Sequence, residues 1–475
     1  MADIEVGSPP NTPSGWVDWL HAKLLRRRTY LRFCSDYYDG KHQKMMFAQA
    51  KYQSEFGRLF EAWSDNFCGL IVDSVNERMF IDGFQMSDEP GGDKDAREIW
   101  QRNHLDAESN AAHLDAMVHG VSYAVVWADS DGQPTITVES AESVVVQHKP
   151  GSRWDIEAAA KFFTDDWGRE FVTLWWNGKV YTGTGMTGAW GDYKEAPNPL
   201  VEPPVVPIPN RSRLAGPHLS DLAVVIPLQD AVNKTVADAL VASEFAAWPQ
   251  RYVTGLEIQE DEQGRPMEPY KVAVDKLLQA ENPEVKFGQF EAADLKNYVN
   301  LVNMLVQHMA SISRIPFHYF LLNGGTAPSG ESITSAEAGL IAKTRERMLH
   351  FGEAWERIMR LAFRVLKDKR AEAHGAEVIW RDPENRTEAQ HMDALLKAQM
   401  IGVPRDQLLL DAGYTPQQIE RFRTMREQDA KDAMELAKKY PAPQPEQPND
   451  PKAKAESTAR KAPQGNSGNA ARKAA

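Results

Sequence analysis

Residues 331–369 read ESITSAEAGLIAKTRERMLHFGEAWERIMRLAFRVLKDK, a run without a proline. Ile341, Thr344, Met348, Phe351, Trp355, Ile358 and Ala362 recur in alternating steps of three and four, which sets them on one face of a helix. At the helical rise such a segment reaches roughly 60 Å. That is too long for the interior of one domain of average size, so the run predicts a helix bridging domains or subunits.

The segments before it share this scale. Residues 317–330 form a Gly/Pro/Ser loop. Ahead of the loop, Leu295, Tyr298, Val299, Val302, Leu305, Val306, Met309 and Ile312 mark one side of a helix over 292–313. Asn297, Asn300, Asn303, Gln307, His308 and Ser311 mark the other. A plainly solvated face would favour Lys and Glu, which are stronger helix formers than Asn. The neutral stripe therefore fits either simple solvation or a surface that meets another molecule without gripping it. A second helix covers 218–248, kinked at Pro227, with Asp221, Asp230, Asp238 and Glu244 against Lys234. Its straight part and the 292–313 helix are each about 30 Å long. Strand and turn signals fill 252–290 between them. This order predicts an antiparallel helix pair carrying a small domain at its far end.

Further out, 16–38, 56–79 and 93–118 read as helices. Alternating and apolar strand segments then run from 122 to 181, with Asn177-Gly178 as a hairpin turn. Repeated proline over 197–217 predicts an extended linker. After the long helix come a strand at 377–380 and helices at 388–400, 405–412 and 416–439. Beyond Pro441 the composition is that of a disordered tail, basic where the rest is acidic. Lys452, Lys454, Arg460 and Lys461 there either keep the tail solvated or touch DNA or scaffold. The fold class is α+β, dominated by helices.

The chain has 475 residues, 42% of them apolar and 25% charged, enough for two to four domains. Lys and Arg number 54 against 67 Asp and Glu, a net charge of −13. That sign argues against a protein whose task is to hold nucleic acid, because phosphate neutralisation dominates such affinity. Cys34 and Cys68 are too few for a disulfide framework or a zinc site and suggest a reducing compartment. No secretory signal and no apolar run long enough for a bilayer is visible, so no membrane role is expected.

Catalytic signals are weak. Gly183-Thr184-Gly185-Met186-Thr187-Gly188 matches a dinucleotide-loop pattern, but no helix follows it to face a pyrophosphate, so a glycine-rich hairpin is the better reading. There is no phosphate loop, no HExxH and no paired-cysteine spacing. His104, His113 and His119 read as solvated or core-edge histidines, and Asp165-Asp166 as an exposed turn. Ser122 enters a strand and lacks a nucleophile elbow. No enzyme, cofactor or metal is expected.

Several strings, in their order, resemble the portal proteins of tailed bacteriophages, of the type found in siphophages of actinobacteria. Tyr37-Tyr38-Asp39-Gly40-Lys41-His42 is similar to the family's N-terminal signature. Residues 66–84 resemble the helix-to-strand stretch that follows it, and 119–127 with Asp131-Gly132 the β entry. Ser313-Arg314-Ile315-Pro316, the loop 324–330 and the long helix resemble the portal core. The likeness spans about 16–440.

The resemblance implies a ring of twelve subunits at one capsid vertex, built from wing, stem, clip and crown around an axial DNA channel. It implies a wing over 1–218, stem helices at 219–247 and 292–313, and a clip at 248–291. The tunnel loop with the long wing helix falls at 314–384, the crown at 385–440 and the tail at 441–475. Asn323, Gly324, Gly325, Ser329 and Gly330 would lie in the tunnel loop near DNA. Asp230, Asp238, Asn297, Asn300, Asn303 and Gln307 would face the lumen, and Asp261, Glu262 and Arg265 would contact a partner at the clip. Implied partners are other copies of the chain, the terminase large subunit, the head–tail connector or adaptor, major capsid and scaffold proteins, and double-stranded DNA. The site of action would be the virion, after assembly in the host cytoplasm. The charge agrees, since a basic bore would release counterions and hold the duplex fast. Rival readings are a nucleotide-binding enzyme using 183–188, a membrane pore of amphipathic helices, and a generic DNA-binding protein.

Overall fold

Thr12 starts the first helix, α1 (Pro13–Tyr38). Its side-chain oxygen accepts from the Gly15 amide at 3.2 Å, and Pro13 takes the first helical position, where no amide donor is needed. A computed structural model describes residues 8–41, 65–86, 92–186, 189–247, 251–255, 283–291, 294–320, 330–384, 388–414 and 416–439. The helix expected over 56–79 appears as α2 (Phe67–Asn76), capped by Asn66, whose side chain accepts from the Gly69 amide at 3.2 Å. Residues 56–64 lie outside the described residues. After β1 (Ile81–Gln85), the single helix expected over 93–118 is two, α3 (Lys94–Arg102) and α4 (Leu105–His119). His104 adopts a left-handed φ of 55° between them and breaks the run.

Eight strands follow: β2 (Val121–Ala128), β3 (Pro134–Glu139), β4 (Val144–His148), β5 (Ile156–Thr164), β6 (Glu170–Trp176), β7 (Lys179–Met186), β8 (Ala189–Pro197) and β9 (Val205–Pro209). β4 to β8 form an antiparallel meander in chain order. Asn177 and Gly178 turn β6 into β7 with φ of 51° and 70°, as a tight hairpin of this composition requires. Trp16, Val17, Leu20 and Leu24 of α1 pack on one face of this sheet against Val145, Ala158, Ala160 and Leu174.

The proline-rich stretch expected as an extended linker is extended, but part of it is built into a sheet. Within it β9 pairs antiparallel with β2, and Val205, Val206 and Ile208 are buried. Pro207 and Pro209 are tolerated because β9 is the edge of the order β3-β2-β9, where a missing amide leaves no partner unsatisfied. Pro227 causes no kink either. A 3-10 turn (Asp221–Val224) precedes α5 (Ile226–Ala247), and Pro227 sits in the first turn of that helix.

Then come β10 (Arg251–Thr254), β11 (Lys286–Gln289), α6 (Lys296–Ser313), α7 (Gly330–Val365) and β12 (Glu377–Trp380), which pairs antiparallel with β1. The chain continues through α8 (Glu388–Met400), α9 (Arg405–Asp411) and α10 (Pro416–Lys439). It divides into two units, Met1–Gly413 and Tyr414–Ala475; in the second, Tyr414 and Phe422 meet edge-on at 5.2 Å.

All seven residues read from sequence as the face of the long helix are buried. Phe351, Trp355, Ile358 and Ala362 share one core with α2, α4 and the starts of α5 and β9. Within the chain α7 does not bridge the two units; it is a spine inside the first, and its successive turns serve different neighbours. Near its start Glu337 holds Arg78 at 3.0 Å, and in its middle Trp355 donates to His113 Nε2 at 2.8 Å while Phe351 stacks on the same ring.

Candidate functional site

The α5/α6 pair is the feature that the sequence marked for function. α6 turns Val306, Met309 and Ala310 toward the large core that also takes Val225, Ile226 and Val232, so the C-terminal half of α6 lies by the start of α5. At the other end β10 and β11 pair antiparallel, Arg251 opposite Gln289, and bring the α5 C-terminus to the α6 N-terminus. The helices are thus antiparallel, as expected. The helical rise makes α5 about 33 Å and α6 about 27 Å long. Beyond Ala237 no described side chain of α5 is buried, and before Val306 none of α6 is.

Three polar locks fix the root of this pair. Asp221 is sealed from solvent, 2.9 Å from Lys343 and 3.0 Å from Arg347 of α7, and accepts from Asn210 at 3.0 Å. Burial would raise its pKa, but Lys343 and Arg347 outweigh burial and hold the carboxyl far below its usual range. Gln229, fully buried, accepts from the Phe67 amide at 3.0 Å and donates to the Asp65 carbonyl at 2.7 Å, tying the start of α2 to α5. Asp230 accepts from the Tyr37 hydroxyl at 2.6 Å. Sequence reasoning missed these locks. The one available signal was Lys343 and Arg347, two cations on the face of α7 that is otherwise apolar.

Two of the four acidic residues read from sequence over 218–248 bond to other elements of the fold. Asp221 and Asp230 are engaged as above, and Asp238 is ion-paired with Lys234 one turn away. Glu244 remains exposed.

The outer side of α6 is more finely divided than its sequence suggested. Asn300, Asn303, Gln307 and Ser311 form one stripe, half-buried at Asn303 and exposed at the rest. Displaced by one residue, Leu301, Met304, His308 and Ile312 form an adjoining stripe, in which Leu301 is 41%, Met304 44% and Ile312 53% exposed. Asn297 continues the second stripe one turn further out, four residues before Leu301. Ile312 thus leaves the apolar side it was read with and joins this exposed strip.

Of the other expected site residues, Gly330 opens α7, while Asn323, Gly324, Gly325 and Ser329 lie outside the described residues, as do Asp261, Glu262 and Arg265. The glycine-rich motif sits on β7, which hairpins into β8, with residues 187 and 188 outside the described residues. A Cβ on Gly183 would stand 2.8 Å from the Gly191 carbonyl oxygen, and one on Gly185 would stand 2.6 Å from the Trp190 ring. These glycines serve strand contact, and no helix follows to meet a phosphate. Among the described residues no cluster of His, Cys, Asp and Glu could hold a metal ion, and no described helix is long and apolar enough to cross a membrane.

With the packed pair, its β end and its long supporting helix in view, the comparisons decide the family. The family model described as phage portal protein, SPP1 Gp6-like, matches residues 17–432. The chain belongs to the phage portal family. It is 30% identical over 386 residues to the portal protein of Mycobacterium phage L5, covering 76% of this chain and 78% of that one. The portal protein of Mycobacterium phage D29 is similar to the same degree and over the same shares. A chain in the solved structure titled virion of native gene transfer agent particle is similar at a TM-score of 0.42 and 12% identity, covering 76% of this chain and 93% of that one. The portal chain is thus a structural component of a bacteriophage virion and not an enzyme.

Proposed function

We propose that twelve copies of this chain close into a ring whose α5/α6 pairs line the channel through which double-stranded DNA enters and leaves the capsid. The observation that carries this reading is the double stripe on α6. An apolar strip exposed beside a neutral polar one fits a helix that has a protein neighbour on one flank and a polyanion passing on the other. Leu301, Met304 and Ile312 are covered by the next subunit, and Asn297, Asn300, Asn303 and Gln307 look into the bore. Asp238, neutralised by Lys234, keeps the other helix free of net attraction for phosphate. Asp230 was expected in the lumen as well; its bond to Tyr37 supports a role in anchoring the root of the pair instead.

A bore without surplus cations lets DNA slide, because few counterions are released on contact. Asn323, Gly324, Gly325, Ser329 and Gly330 form the tunnel loop against the duplex. Asp261, Glu262 and Arg265, between β10 and β11 in the chain, meet the terminase large subunit during filling and the head–tail connector afterwards. Capsid and scaffold proteins surround the ring at the vertex. Energy comes from the packaging ATPase, since this chain offers no phosphate loop.

Electron microscopy of the purified full-length protein, with mass from light scattering, tests the ring. Closed particles with a central hole and the mass of about twelve chains are expected. Particles without a hole, or a monomer at every concentration with and without scaffold, would end the proposal.

A further inference from the structure

The β4–β5 turn, β9, residues 212–218 and the middle of α7 enclose a cleft of about 470 Å³. Four arginines, Arg153, Arg213, Arg357 and Arg360, line it against one carboxylate, Glu353. Arg357 is engaged already, donating to the Trp154 carbonyl at 2.7 Å and standing 3.6 Å from Glu202. Arg153 donates to the Arg213 carbonyl at 3.0 Å, and neither Arg153 nor Arg213 has a carboxylate within ion-pair distance among the described residues. The rim is apolar, with Trp154 63% and Leu214 90% exposed. In a chain of net charge −13, unpaired arginines beside exposed apolar side chains are out of keeping with the rest of the composition.

The opposite end of the same sheet offers the complement. The β5–β6 turn carries Asp166, exposed and without a partner among the described residues, and Trp167, 79% exposed. Asp165 is taken by Arg169 at 2.7 Å, so Asp166 is the free carboxylate of the turn. The nine residues of β5 separate socket from plug by about 30 Å at the strand rise.

We propose that Asp166 and Trp167 of one copy seat in the cleft of the next, the carboxylate on Arg153 and Arg213 and the indole between Trp154 and Leu214. This deepens the ring reading above and rests on it. A closed ring needs two different patches on each subunit, facing opposite ways round the circle, and the two ends of one sheet supply them. A phosphate or a DNA strand would satisfy the arginines but leave the apolar rim in water. A Trp beside a carboxylate answers both, and buried aromatic anchors next to arginine forks dominate interfaces of this kind.

Trp167→Cys and Leu214→Cys in one full-length chain test the contact, since the native Cys34 and Cys68 are buried. Ring formation is read by light scattering and microscopy, and the particles are then mildly oxidised and run on a denaturing gel. A ladder of covalent multimers is expected from the double variant, monomers from either single variant alone, and dimers when the two single variants are assembled together. Separately, Arg153→Glu with Arg213→Glu, and Asp166→Arg, each lower ring yield at limiting concentration by about tenfold, and combining them restores most of it. Rings that give no ladder, with yields unaffected by charge reversal, overturn this contact and leave the ring standing. Protein that stays monomeric before any substitution overturns the ring, and this contact with it.

Discussion

The guanidinium of Arg347 stands 3.0 Å from the carboxylate of Asp221, with both side chains all but sealed from solvent. Lys343 reaches the same carboxylate at 2.9 Å from one turn earlier in the helix. Asp221 opens the turn that leads into α5, and Lys343 and Arg347 belong to α7. The start of α5 is therefore tied to α7 through charges held in a medium of low dielectric, where breaking them is costly.

Removing one partner should show that cost. Arg347→Met leaves Asp221 buried with Lys343 as its one remaining cation, and a loss of about 3–5 kcal/mol is expected. Denaturant unfolding of the full-length protein measures it. A loss below about 1 kcal/mol, the range of an exposed pair, would mean that water reaches the site.

Acid should weaken the fold before it reaches the carboxylates of the core. Burial lowers His113 from 6.5 to about 3. Burial, with Arg27, His148 and Arg153 nearby, lowers His218 from 6.5 to about 4. The unfolded chain takes up these protons near pH 6.5 and the folded chain refuses them, so the stability they contribute is intact above that pH and drains away as pH falls toward 3. The slope approaches about 1.4 kcal/mol per pH unit for each histidine. Glu356 opposes this in part: burial, then Glu353, raises it from 4.5 to about 7, which favours the folded state below that value. Melting temperatures from pH 7 down to 4 should fall; a flat profile would contradict the burial of the two rings.

The neutral stripe of α6 can be made sticky. Asn300→Lys with Gln307→Lys adds cations to each subunit on an exposed helix face. Fold and ring formation are expected to survive, while duplex DNA is retained with a log–log salt slope near −0.9 per phosphate newly neutralised. Filter retention across a salt series reads this, and an unchanged slope would place the stripe away from DNA.

The glycine motif on β7 should matter to stability and not to ligands. Gly185→Ala drives a methyl to within 2.6 Å of the Trp190 ring, a clash of the size that costs about 1–3 kcal/mol. Millimolar ATP or NAD should leave the melting temperature of the unaltered protein where it is, since a ligand that bound the folded state would raise it.

Local and periodic signals were enough for much of this. The three- and four-residue steps that end at Ala362 marked the buried face of α7 correctly, because a helix shows its own neighbours at that spacing whatever else it packs against. Asn177-Gly178 fixed a hairpin for the same local reason, and the order of short strings identified the family. What depended on distant partners was not legible. Proline suggested an extended linker where β9 adds to a sheet edge, because only the strand order shows which amides lack partners. Asp221 and Asp230 looked like a charged outer surface until Arg347 and Tyr37 were seen beside them. Ile312 was grouped by its type with the apolar side of α6, although its angle on the helix turns it outward with Leu301 and Met304. Chain order determines which residues can share a face; burial, and so whether a charge is a lock or a surface, is decided by segments more than a hundred residues apart, as Asp221 and Arg347 are.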